Sequence, residues 1–409
     1  MGRYMTRHRY GAAPLVLASL SLSLVPGVKS AAQTTRISTD VSAGVAVGTN
    51  PYLQGGDNTS GVSAFVEVAP MLTYEDEVSS LTLRGRARIQ PYLKRYSTDD
   101  ALSLDLNVTR KLSDRLSVRG AAGFQTNRSS AQDILLDRQI SLTPVIGLNP
   151  LLSDISFVGQ RTRTTSLNAQ VGATWRPSEI EQGDVDVGTG VQRFGRRGLA
   201  DYRYANQQFR YSRSLSERTS LTAAVGFSQV DYLGRRAGDA FIVSPRIGIE
   251  QQIQQSWRLS ASAGLSQTRI RKIDDRYSTR NTIALQGRLC QDRQRGRLCF
   301  NADRSSQPTA LGDVRSVTTV GAAFTQRLSD RDELLVNANY SRTSEPRLGG
   351  GRGGPASFAG ASAEFTRKLN DRFSWFAGAS FADIYQTNNP RRANYQARAG
   401  IRYRFGDVR

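Results

Sequence analysis

Arg84, Arg86 and Arg88 occupy three successive even positions in the segment Leu81-Thr82-Leu83-Arg84-Gly85-Arg86-Ala87-Arg88-Ile89. A guanidinium keeps its charge at any workable pH and pairs as a planar fork with carboxylate or phosphate. Three of them on one face of a strand therefore make a surface that attracts anions. Arg210, Arg258, Arg288, Arg398, Arg402 and Arg404 alternate with apolar or small neighbours in the same way. Lysine occurs only at 29, 94, 111, 272 and 368, so nearly all of the positive charge is guanidinium. Carboxylates at Glu67, Asp105, Asp184 and Asp186 read as ion-pair partners of these arginines rather than as acid and base.

Other chemistry is limited by composition. The one histidine is His8, inside an N-terminal leader, which removes Ser-His triads and imidazole metal sites from the mature chain. The chain reads as a non-enzyme without a cofactor. Cys290 and Cys299 bracket the turn Gln291–Leu298, at the end of one alternating segment and the start of the next. In an oxidising compartment they are expected to pair, and two thiols alone are too few for a metal site. Gly349–Gly354 lacks the Lys-Ser/Thr ending of a phosphate-cradling loop and reads as a surface connection.

The elements that position these groups are strands, because alternate side chains of a strand point to opposite faces. In 81–94 one face is apolar or small and the other basic. In 101–109, Leu102, Leu104, Leu106 and Val108 share one face and Ser103, Asp105, Asn107 and Thr109 the other. Such segments suit a wall between lipid and water. Only 38% of the residues are hydrophobic, but a barrel strand needs only about ten alternating residues and keeps half of them in an aqueous lumen.

A phrase recurs between alternating segments: Lys111-Leu112-Ser113-Asp114-Arg115, Ser214-Leu215-Ser216-Glu217-Arg218, Arg327-Leu328-Ser329-Asp330-Arg331 and Lys368-Leu369-Asn370-Asp371-Arg372. Ser, Asn and Asp bond to nearby backbone and so suit tight turns. Longer polar connections alternate with these turns, at 49–61, 233–240, 272–279, 305–314, 344–356 and 386–392. The pattern predicts an all-β fold: a single antiparallel up-and-down transmembrane barrel of about 18 strands, among them 79–94, 280–290 and 297–304. Short turns lie on the periplasmic rim and long loops on the extracellular one. The connection 128–163 is expected to constrict the lumen, because Ile134-Leu135-Leu136 and Val145-Ile146 are too apolar to lie free in water. Tyr52, Tyr74, Tyr92, Tyr340, Phe373, Trp375, Tyr395, Tyr403 and Phe405 read as rings at the edges of the apolar band.

Residues 1–32 read as a secretory signal peptide, with basic residues before the apolar stretch Ala12–Val25 and a small-residue site at Ser30-Ala31-Ala32. Residues 33–409 are expected to form the barrel. The formal charge is +20, and loss of Arg3, Arg7, Arg9 and Lys29 leaves about +16. The export signal and the spread of arginines over alternating positions argue against nucleic acid as the partner. Lipopolysaccharide and acidic polysaccharide fit better.

The last segment, Arg398-Ala399-Gly400-Ile401-Arg402-Tyr403-Arg404-Phe405, resembles the C-terminal signature read by the barrel assembly machinery of Gram-negative outer membranes, with Gly400, Tyr403 and Phe405 as its marked positions. Gly406-Asp407-Val408-Arg409 follows it, where many members end on the aromatic residue. The mature chain is similar to the porin-like barrels associated with exopolysaccharide operons. In size and arginine content it resembles the alginate-export barrel. This resemblance implies a place in the outer membrane and passage of an acidic exopolysaccharide or other anionic solutes. The alternative is a filled barrel that anchors or serves a polysaccharide secretion complex.

Overall fold

In the computed structural model, the described residues are 34–56, 59–128, 161–234, 238–272, 274–344, 356–386 and 391–407. The expected signal peptide and most of the expected constriction at 128–163 lie outside them. The described residues form eighteen strands. The first nine are β1 Thr34–Gly48, β2 Gly61–Glu75, β3 Ser79–Gln90, β4 Asp99–Ser113, β5 Leu116–Arg128, β6 Arg163–Ser178, β7 Glu181–Phe194, β8 Tyr202–Ser216 and β9 Thr219–Tyr232. They continue as β10 Ala240–Gln254, β11 Trp257–Arg271, β12 Tyr277–Arg293, β13 Gly296–Pro308, β14 Val314–Arg327, β15 Asp332–Thr343, β16 Ala356–Lys368, β17 Phe373–Gln386 and β18 Asn394–Gly406. Each pairs antiparallel with its sequence neighbours, and β18 returns to β1, so the sheet closes. Closure leaves no edge strand to be satisfied by lipid.

Register follows from the alternation. Directly paired residues share a face, and the apolar sets meet: Val41 opposite Tyr403, Val68 opposite Ala87, Leu83 opposite Leu106, and Leu265 opposite Ile283. These residues face outward, and several are widely exposed, Ile247 at 74% and Leu265 at 59%. The other face of every ladder is the lumen.

The recurring phrase acts through one device. Ser113 Oγ accepts from the backbone N–H of Arg115 and Leu116, Ser329 Oγ from Arg331 and Asp332, and Asn370 Oδ1 from Arg372 and Phe373. Ser216 Oγ accepts likewise from Arg218. Asp76 caps the first turn in the same manner, and the bonds from Val78, Tyr74 and Ser79 hold its carboxyl below the usual range. Both ends of the barrel chain, Thr34 and Gly406, lie on this short-turn rim.

Three local expectations are corrected. Strand β3 ends at Gln90 rather than 94, because Pro91 has no N–H for the ladder; only an isolated bridge, Ser63 to Tyr92, continues beyond it. Cys290 and Cys299 are not at strand ends. Strands β12 and β13 run on to a two-residue turn at 294–295, and the disulfide joins a directly opposed pair within the ladder. Finally, β13 and β14 reach inward of their expected limits and leave a five-residue connection, Thr309–Asp313. Ser305-Ser306-Gln307 carries no apolar alternation, since this stretch has left the lipid-facing wall.

Candidate functional site

Parity decides where each arginine points. Arg84, Arg86 and Arg88 lie between the outward residues Leu83, Gly85, Ala87 and Ile89, so all three enter the lumen. Arg398, Arg402 and Arg404 do the same between Ala397, Ala399, Ile401, Tyr403 and Phe405. Strands β18, β1, β2 and β3 are consecutive around the wall, so six of the nine arginines singled out by spacing share one lumen face. Arg210 on β8 is paired with Glu250 on β10. Arg258 and Arg288 lie on the lumen faces of β11 and β12, two positions apart in the ladder, with the Leu259–Leu289 pair between them. They are not part of the β18–β3 group.

Arg84, Arg86, Arg398, Arg402 and Arg404 of this group line a cavity of about 580 Å³, together with Asp40, Glu67, Asp105 and Glu364, while Arg88 is buried farther along β3. Arg86 Nη2 lies 2.8 Å from Glu67 Oε2, and Arg404 Nε 2.7 Å from Asp40 Oδ1. Glu364 on β16 receives Arg398 across β17 and stands 3.9 Å from Arg402 Nη2. Arg84 stands opposite Asp105 in the β3–β4 ladder. Five guanidinium groups thus face four carboxylates. Elsewhere on the wall, Arg119 forks onto Asp186 at 2.6 and 3.0 Å and lies 3.6 Å from Asp184.

An aromatic platform lies inside this group. The Phe376 ring has the guanidinium carbons of Arg398 and Arg402 at 5.8 and 5.5 Å from its centroid, and Phe65 6.1 Å away. Room for the two rings comes from the facing pair Gly44 and Gly400: a Cβ at either position would stand 2.7 Å from the edge of Phe65 or Phe376. Gly400, read from the sequence as part of an assembly signal, therefore also has a packing role. Tyr403 and Phe405 lie on the outer face, their rings 4.6 Å apart. Phe65, Phe376 and Glu364 were not singled out by spacing. Their signal was an aromatic or acid on the lumen parity, flanked by outward residues such as Trp375, Ala377, Ala363 and Phe365.

The lumen is graded along its axis. Buried residues occur in the long-loop half of all eighteen strands, from Ala46 on β1 through Gln90 on β3, Tyr202 on β8 and Phe358 on β16 to Gln396 on β18. Nearer the short-turn rim, the side chains of Arg402 and Arg404 are 35% and 40% exposed, whereas Arg88 is 4% exposed as a residue. Two described segments supply part of the filling. In the connection after β1, Leu53 packs on Ala356, Phe358, Ala382 and Ile384 of the lumen wall. Tyr52 packs on Tyr92 and Tyr96, with the Arg161 guanidinium 4.7 Å over its ring. Tyr52 and Tyr92 therefore do not belong to an outer ring of aromatics. Burial, followed by the charge of Asp99, pushes the Tyr52 hydroxyl far above its ordinary value. The second segment is the β13–β14 hairpin, whose Ala310 joins Phe194, Tyr202, Tyr204, Val230 and Tyr232 on the inner face of β7–β9.

Among the described residues no group of three or more His, Cys, Asp or Glu is placed to hold a metal ion. An even-stranded, closed, antiparallel barrel with an outward apolar belt and short turns on one rim is the architecture of the Gram-negative outer membrane, and the protein belongs to that membrane. No family model matches the chain, and no curated protein sequence matches it. Solved structures with a similar barrel include a BenF-like porin from Pseudomonas fluorescens Pf-5, at 10% identity and a TM-score of 0.47, covering 92% of this chain and 99% of that one. OccK2 (OpdF) of Pseudomonas aeruginosa is similar at 9% identity and a TM-score of 0.47, over 92% and 100%. The FrpB iron transporter from Neisseria meningitidis (F5-1 variant) is similar at 8% identity and a TM-score of 0.45, over 90% and 82%. Likeness of this degree assigns neither solute nor selectivity to this chain.

Proposed function

We propose that the protein is an outer-membrane channel with an anion-preferring lumen, serving passage of an acidic exopolysaccharide or other anionic solutes. The observation that carries this reading is the five-to-four excess of arginine over carboxylate around the β16–β4 cavity. A net positive lumen concentrates anions and slows cations. The guanidinium groups of Arg402 and Arg404, 35% and 40% exposed, suit a carboxylated sugar, whose carboxylate can meet a guanidinium fork. Eighteen strands enclose enough cross-section for an aqueous path once the filled half is cleared.

The filling of the long-loop half favours a second reading, a barrel that anchors or serves a polysaccharide secretion complex. Planar-bilayer recordings separate the two. Under the channel reading, single steps appear, and a galacturonate trimer added on the short-turn side lowers their current more than maltotriose at equal concentration. Absence of steps at any voltage leaves the anchor reading. Equal effects of the two sugars remove the carboxylate preference.

A further inference from the structure

We infer that the upper β13–β14 hairpin, residues 305–316, is a two-position element that either plugs the long-loop half of the lumen or lies in the barrel wall. The β12–β13 ladder stops at Leu285 opposite Arg304, although β12 itself begins at Tyr277. Asn281–Ala284 have no ladder partner on that side among the described residues. The β14–β15 ladder stops at Val317 opposite Thr343, while β13 and β14 stay paired with each other as far as Pro308 opposite Val314. The hairpin therefore leaves β12 at residue 304 and tilts into the lumen, while on the β15 side the Ser344 N–H still donates to the Ser316 carbonyl at 2.9 Å.

Its contacts there are polar along β13 and at the tip, with Ala310 and Val314 adding apolar ones. Ser306 Oγ is 3.1 Å from Ser266 Oγ on β11 and 3.3 Å from Thr282 Oγ1 on β12, and Val314 packs on Ala240 and Ile242 of β10. At the tip, the Tyr232 hydroxyl donates to the Asp313 carbonyl at 2.7 Å and accepts from the Thr309 N–H at 3.1 Å. The Ala200 N–H donates to the Ala310 carbonyl at 2.6 Å. Gly238 lets the neighbouring connection approach, because a Cβ there would strike the Gly312 carbonyl.

The alternative position is already specified by register. Extending the β12–β13 ladder past Arg304 sets Ser306 opposite Ile283 and Pro308 opposite Asn281, where the missing proline N–H would end it. Even-numbered residues of β13 face outward in the wall, as Phe300 does, and in the hairpin the same side, Ser306, rests on the inner faces of β11 and β12. Apart from Val314, opposite Pro308, that side carries no large apolar side chain to commit it to lipid. One position satisfies the free strand edge of β12 and the other the Tyr232 hydroxyl and the inner face of β10, which is the condition for a bistable element. The effect on conduction rests on the channel reading above; the movement itself does not.

Two cysteine pairs in the full chain, reconstituted in bilayers, test it, with native Cys290 and Cys299 already tied to each other. Ser266→Cys with Ser306→Cys should cross-link the plugged position and abolish the larger conductance step. Ile283→Cys with Ser306→Cys should cross-link the wall position and hold the larger step; reductant should reverse both, against a wild-type control. Tyr232→Phe, which cuts the tip anchor, should increase the time spent in the larger step by roughly tenfold. A complete Ser266–Ser306 link with no Ile283–Ser306 link overturns the inference, as does equal conductance of the two locked forms. If neither double variant folds, unchanged occupancy in Tyr232→Phe overturns it. An Ile283–Ser306 link in a barrel that never conducts would sink the channel reading and leave the movement standing.

Discussion

Replacing Ile247 with arginine is expected to destabilise the folded barrel by about 2–4 kcal/mol, the cost of a charge on the lipid face near the midplane. Ile247 is 74% exposed and shares its face with Ala223 and Ala263 on the neighbouring strands. Its sequence neighbour Arg246 points the other way and donates to Gln286 Oε1 at 3.2 Å. Arg246→Ser should therefore change stability by less than about 1 kcal/mol, since a polar replacement in a wet lumen loses an exposed bond to Gln286 and a screened attraction to Asp303. Urea titration of refolding into bilayers reads both. On the outside of a water-soluble protein Ile247→Arg would be harmless, so the size of its effect reports which solvent that face meets.

The second large effect is electrostatic. Arg84 and Arg86 are two of the five guanidinium groups that line the cavity with Asp40, Glu67, Asp105 and Glu364, and Arg88 follows them on the same face of β3. Substituting all three with serine leaves three positive groups against four negative ones, so the local sign reverses. The ratio of chloride to potassium permeability should fall to unity or below, while folding is retained, because polar side chains still face the lumen. A ratio unchanged from wild type would mean that the path of ions does not pass this face.

Alternation made the barrel legible, since a period of two with apolar residues on one parity has few other homes than a lipid-facing sheet. The turns were legible for a local reason: Ser113, Ser216, Ser329 and Asn370 act on backbone two or three residues away. The lumen parity of the arginines is local in the same sense. What sequence could not place was anything depending on contacts across the lumen. Glu364 meets Arg398 over an intervening strand. Tyr52 meets Tyr96 through a folded connection. Ser305-Ser306-Gln307 continues a strand without any apolar signal because the hairpin has turned from lipid to the interior. Cys290 and Cys299 were read as a pair, but their place inside the ladder depended on how far β12 and β13 extend.

The central claim is a transmembrane barrel whose lumen prefers anions. The reversal potential of the unmodified protein in a planar bilayer, measured across a tenfold gradient of potassium chloride, tests it most directly. The charge around the cavity predicts a potential of the sign set by chloride permeation, shrinking as salt rises and screening shortens. A potential of the sign set by potassium would contradict the claim.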